Sequence, residues 1–145
     1  MENFQNVKEA LIKKAIKKNA CKDQLERAKA CDSWEELQQV IIDNIWWLHE
    51  RKVKVPDGSY KSSRYQFTIV NGKPHGEYNQ WFKNGQLWEH SNYENGVLHG
   101  EYKEWYENGQ LAVHSHYENG FLHGECKRWY SNGQLAYKKN IQTAK

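Results

Sequence analysis

Histidine and glutamate recur side by side through the C-terminal half of the chain, as His75-Gly76-Glu77, His99-Gly100-Glu101 and His123-Gly124-Glu125. Imidazole and carboxylate are ligands for zinc and its neighbours, and together they can do acid–base work. A metal needs three or four such groups around one centre. Six of the seven histidines, His75, His90, His99, His114, His116 and His123, fall on one predicted sheet face. They follow a sequence repeat as an even ladder, so the expectation is no metal ligands and no cofactor. Glu101 and Glu125 recur in the same way with nothing to enclose them, so no catalytic residue is expected and the chain reads as non-enzymatic. Cys126 replaces the tyrosine found at Tyr78 and Tyr102. On the apolar face it reads as a buried small residue rather than a nucleophile. Phosphate-cradling patterns, Gly-x-Gly-x-x-Gly and Gly-Lys-Ser/Thr, are absent.

Aromatic and basic side chains interleave as Trp81, Trp88, Trp105 and Trp129 with Lys103 and Lys127. Tryptophans of this kind anchor protein interfaces, and these six residues are the expected partner-binding site. The same interleaving would stack the bases of a single nucleic-acid strand. Glu77, Glu101 and Glu125 share the face and make its field mixed, which favours a protein partner. Lys13, Lys14, Lys17 and Lys18 form a basic run on the first helix, read as a solvated face.

The elements that position these residues change character near Pro56-Asp57-Gly58, a turn signal. Before it, apolar residues keep helical spacing. One helix is expected around Val7–Ile16 and a short one over Lys22–Lys29. A third starts at the capping-box pattern Ser33-Trp34-Glu35-Glu36, with Trp34, Leu37, Val40, Ile41, Ile45 and Leu48 as its stripe. Trp46 and Trp47 widen that stripe, so this helix is expected to bury more than one side. After residue 60 the period becomes two. Asn-Gly recurs at Asn71, Asn84, Asn95, Asn108, Asn119 and Asn132, with Asn84, Asn108 and Asn132 each 24 residues apart. Asn-Gly suits the type I′ hairpin turn, and a fixed period marks a repeat architecture. About seven antiparallel strands are expected. One face carries Gly100, Tyr102, Glu104, Val113, Ser115 and Tyr117; the other carries Glu101, Lys103, Trp105, Ala112, His114 and His116.

The predicted fold class is therefore α+β. Residues 1–56 form a helical N-terminal cap, and residues 57–145 a single-layer antiparallel β-meander of hairpin repeats. A net charge of +3 gives no strong polyanion signal, 14 % aromatics suit half-buried or binding surfaces, and a low aliphatic content with a mean hydropathy of −1.05 argues against a thick sandwich core. Three cysteines, Cys21, Cys31 and Cys126, do not make a disulfide framework. With no visible signal peptide and no membrane-spanning run, a cytoplasmic setting and no membrane partner are expected.

The unit Tyr93-Glu94-Asn95-Gly96-Val97-Leu98-His99-Gly100-Glu101-Tyr102-Lys103-Glu104-Trp105-Tyr106-Glu107-Asn108-Gly109-Gln110-Leu111 resembles the MORN-variant repeat, in the form found in YwqK-type antitoxins. The resemblance covers about residues 65 to 140. It implies a single-layer sheet of hairpins that binds other proteins and, in some members, neutralises a toxin. The expected function is a non-enzymatic module that neutralises a partner protein, a toxin in the antitoxin or immunity case. The alternatives are a phage or mobile-element inhibitor of a host defence enzyme, and a single-strand nucleic-acid binder.

Overall fold

The computed structural model describes residues 3–142. The chain divides between Asp57 and Gly58 into two compact units. The first is helical, with α1 Phe4–Lys17, α2 Lys22–Ala30, α3 Trp34–Asp43 and α4 Ile45–Glu50. Its core gathers Leu11, Ala15, Ala28, Leu37, Val40, Ile41 and Leu48, all buried. Lys8 is buried too. Its ammonium donates to the carbonyls of Lys29 (3.0 Å) and Cys31 (2.8 Å), placing a cation on the C-terminal end of α2. At the start of α3 the Ser33 hydroxyl accepts from the Glu36 N–H (3.2 Å). The Glu36 carboxylate reaches back to the Asp32 N–H (2.6 Å), one residue earlier than the Ser33 amide that a capping box implies.

The expected single helix from residue 34 to 48 is two helices. Asn44 breaks it: its amide donates to the Val40 carbonyl (2.8 Å) and to Gln24 Oε1 (2.9 Å), and its backbone leaves the helical region. α4 then turns only Leu48 fully inward. Trp46 is 62 % exposed, which overturns the expectation that Trp46 and Trp47 bury a second side.

The second unit is one antiparallel sheet. Its strands are β1 Gly58–Lys61, β2 Tyr65–Val70, β3 Lys73–Pro74, β4 Gly76–Trp81, β5 Leu87–Glu94, β6 Val97–Leu98, β7 Gly100–Trp105, β8 Leu111–Glu118, β9 Phe121–Leu122, β10 Gly124–Trp129 and β11 Leu135–Ile141. The main path runs β1-β2-β4-β5-β7-β8-β10-β11, strictly in chain order, while β3, β6 and β9 pair with β2, β5 and β8. Eight main strands stand where about seven were expected. The three short ones arise because the chain kinks at each His-Gly, where Gly76, Gly100 and Gly124 take φ of +88°, +99° and +75°.

The Asn-Gly pairs make two different turns in alternation. At Asn71-Gly72, Asn95-Gly96 and Asn119-Gly120 both residues have positive φ, as type I′ requires. At Asn84-Gly85, Asn108-Gly109 and Asn132-Gly133 only the glycine does, correcting the uniform type I′ expectation. There the Gly109 N–H bonds the Tyr106 carbonyl (2.9 Å) and the Tyr106 N–H bonds that of Gln110 (2.8 Å). This is a type I turn closed by a left-handed glycine. The strand register Glu104↔Val113 is the one the alternation predicts, but Trp105 pairs with Leu111, leaving Ala112 as the extra residue of a bulge.

Candidate functional site

Alternation along each strand sorts the repeat side chains onto two faces. On the tyrosine face four tyrosines stand opposite small residues: Tyr78 opposite Ser91, Tyr93 opposite Gly76, Tyr102 opposite Ser115, and Tyr117 opposite Gly100. The rings lean over these gaps. Tyr78 meets Tyr93 edge-on at 6.1 Å between centroids, and Tyr102 meets Tyr117 at 5.5 Å. Ser91 and Ser115 are thereby sealed to 0 % and 1 % exposure. Cys126 is buried, as its place on this face predicts.

Within this row Glu89 lies directly across from Glu104 on the neighbouring strand. Like charges directly opposite one another destabilise a sheet. Burial pushes the Glu89 carboxyl above its ordinary range, the Ser91 hydroxyl bond (3.0 Å) works against that, and the Glu104 charge adds to it. The Tyr102 hydroxyl donates to Glu104. Burial first, then the neighbouring glutamates, pushes the Tyr102 phenol far up, so it stays a neutral donor. The result is an acidic band framed by four half-buried tyrosines. The alternation places Glu104 on this face but not the pair, because the partner of Glu89 depends on register between repeats and not on spacing within one.

The histidine face carries the residues expected to bind a partner, and the structure disperses them. Lys103 is held by Glu101 (3.1 Å) and Lys127 by Glu125 (2.8 Å), each two residues away along the same strand and on the same side. These contacts hold the Glu101 and Glu125 carboxyls below their ordinary range. Trp81, Trp105 and Trp129 sit half-buried at the strand ends beside the type I turns. Successive turns are laced together: Tyr106 donates to the Trp129 carbonyl (2.7 Å), and Asn108 to that of Ser131 (2.9 Å). Trp88 takes the bulge position held by Ala112 in the next repeat and is 38 % exposed, stacked on Phe82 at 5.2 Å.

The histidines do not form the even ladder that the sequence implies. His75 and His99 accept through Nδ1 from the N–H groups of Asn95 and Asn119 (3.3 Å each), bracing the next type I′ turn. His99 and His123 also approach Glu94 and Glu118 (3.6 Å each). His90 bonds Asn79 (2.6 Å). In the middle repeat, by contrast, Glu101, His114 and His116 converge, with their ligand atoms all within 4.8 Å of one another. The reason lies in one departure from the repeat. His116 stands where the flanking repeats have Asn92 and Asn140.

A sheet extended by one hairpin per repeat defines a solenoid-like repeat array with open faces. Residues 74–95, 98–119 and 122–142 each match the family model for the MORN repeat variant, so the sheet unit carries three consecutive MORN-variant repeats, with β1 and β2 outside the matched residues. No curated protein and no solved structure gives a significant match. No helix among the described residues is long and apolar enough to cross a membrane.

Proposed function

We propose that the chain is a non-enzymatic protein-binding module that neutralises a partner protein, in the manner of a YwqK-type antitoxin or immunity factor, by gripping a basic segment of it on the tyrosine face. The observation that carries this reading is the Glu89–Glu104 pair. Two carboxylates held opposite each other cost stability in the free sheet. An arginine or lysine laid between them reverses the sign of that interaction, and the surrounding tyrosines add ring faces suited to a cation. Against the nucleic-acid alternative, Lys103 and Lys127 are already paired with glutamates.

The test is affinity capture from the native host with the intact chain, followed by assay of the captured protein with and without it. The expected outcome is a protein active alone and inhibited by the chain. Glu89→Gln should then weaken binding about tenfold, roughly 1.4 kcal/mol, in line with the loss of a charge-assisted contact. Capture of a host defence enzyme would make the chain an inhibitor carried by a phage or mobile element. Capture of a partner that Glu89→Gln binds unchanged would move the site off the tyrosine face. Capture of nucleic acid with steep salt dependence would replace the reading altogether.

A further inference from the structure

The convergence of Glu101, His114 and His116 has a chemistry of its own, independent of the partner-binding reading. We propose that these three residues form a surface site for a divalent first-row metal, zinc by preference. Glu101 on β7 stands directly opposite His116 on β8, and His114 lies two residues along on the same face. Two imidazoles and one carboxylate are a familiar three-ligand zinc set that leaves one position open. In a tetrahedral site the ligand atoms lie about 3.4 Å apart, as follows from metal–ligand bonds of about 2.1 Å. His114 Nε2 and Glu101 Oε2 already stand at 3.3 Å. His116 completes the set from within 4.8 Å by a side-chain rotation, and its exposed position leaves room for that. Glu101 divides its oxygens to suit: Oε1 takes the Lys103 ammonium, while Oε2 faces the His114 imidazole. The lysine thus fixes the carboxylate without occupying the ligand atom, as outer-shell partners of metal ligands do.

The repeat itself supplies the internal control. The equivalent residues are Glu77, His90 and Asn92 in the first repeat and Glu125, Lys138 and Asn140 in the third. Neither holds a second imidazole, and the third presents a cation to its glutamate (3.7 Å). The middle repeat alone has all three donors, so one ion per chain is the expected stoichiometry. The open fourth position faces outward and takes water.

The experiment is calorimetric titration of the full, metal-stripped chain with zinc chloride, with cobalt(II) absorption as a second readout of coordination. One ion should bind per chain. His116→Asn, which installs the residue of the flanking repeats, should weaken binding by about tenfold or more, since losing merely an outer partner of a ligand costs that much. Cys21→Ser, removing the exposed thiol, should leave the affinity unchanged. Circular dichroism of His116→Asn should match the parent, because the side chain is exposed. Absence of saturable binding at millimolar zinc would overturn the proposal. So would affinity unchanged in folded His116→Asn, or lost in Cys21→Ser.

Discussion

Glu89 illustrates how a single side chain can be set against the stability of its own fold. Its carboxyl is raised, chiefly by burial and further by Glu104, so ionising it costs more in the sheet than in the unfolded chain. The sign follows from linkage. Relative to the unfolded chain, the folded state prefers the protonated form. The resulting stabilisation is complete below the ordinary glutamate value of 4.5 and is lost as pH rises through the raised folded value. Glu89→Gln keeps an acceptor for Ser91 and removes the charge. It should raise stability near neutral pH by about 0.5 kcal/mol, the scale of a cross-strand charge pair. It should also flatten the gain in stability on mild acidification. Urea titrations of both proteins at neutral and mildly acidic pH would show it. A variant less stable than the parent at neutral pH would mean that the pair is not a liability, and the argument for a cationic partner would lose its basis.

At the scale of the element, the two Asn-Gly turns use the same dipeptide for different physical reasons. Asn95 has a φ of +52° and tolerates it as few residues other than glycine do. Asn108 keeps a negative φ and works through its side chain, accepting from the Gln110 N–H (2.9 Å) and donating to the Ser131 carbonyl (2.9 Å). Asn95→Gly should therefore be nearly neutral, whereas Asn108→Gly should cost about 1 kcal/mol through its lost hydrogen bonds. Gly109→Val should cost about 1–3 kcal/mol, because a β-branched residue is strained at the +89° of that position. Chemical denaturation of the three variants separates the cases; equal losses for the two asparagines would show that the turns are of one kind. The dipeptide alone announces a hairpin, which is why the strands, their faces and the register Glu104↔Val113 were legible from the repeat. It does not announce which of two glycine-bearing turns forms, since that goes with the register of the flanking strands: the bulge at Trp105↔Leu111 accompanies the turn with a single positive φ. The break at Asn44 was hidden for a similar reason. The helical stripe continues through it, and the interruption goes with the Asn44 amide's bonds to the Val40 carbonyl and, across the unit, to Gln24. The Glu101–His114–His116 cluster was present in the sequence as one out-of-period histidine, but periodicity directs attention to what recurs.

At the scale of the sheet unit, neighbours in space are neighbours in sequence. Each main strand pairs only with those before and after it, and β11 pairs only with β10. In such an array stability is close to a sum over repeats and their interfaces, so an end can be removed without dissolving the rest. β11 is the weakest member on these grounds: six of its seven residues are exposed and only Ile141 is half-covered. Amide exchange should therefore be faster along β11 than along β7 or β8, which are hydrogen-bonded on both sides. A chain ending at Gly120 loses β9, β10 and β11, yet it keeps the acidic pair, the four tyrosines and the Glu101–His114–His116 cluster. It should retain a strand signal in circular dichroism and unfold cooperatively. Its urea m-value should be smaller, because less surface is exposed on unfolding. Its zinc titration should match the full chain, since both ligand strands remain paired with each other. Complete unfolding of the shortened chain would show that the repeats stand or fall together. Stable folding with zinc binding lost would show instead that β10 positions His114 across the Lys127↔His114 pairing.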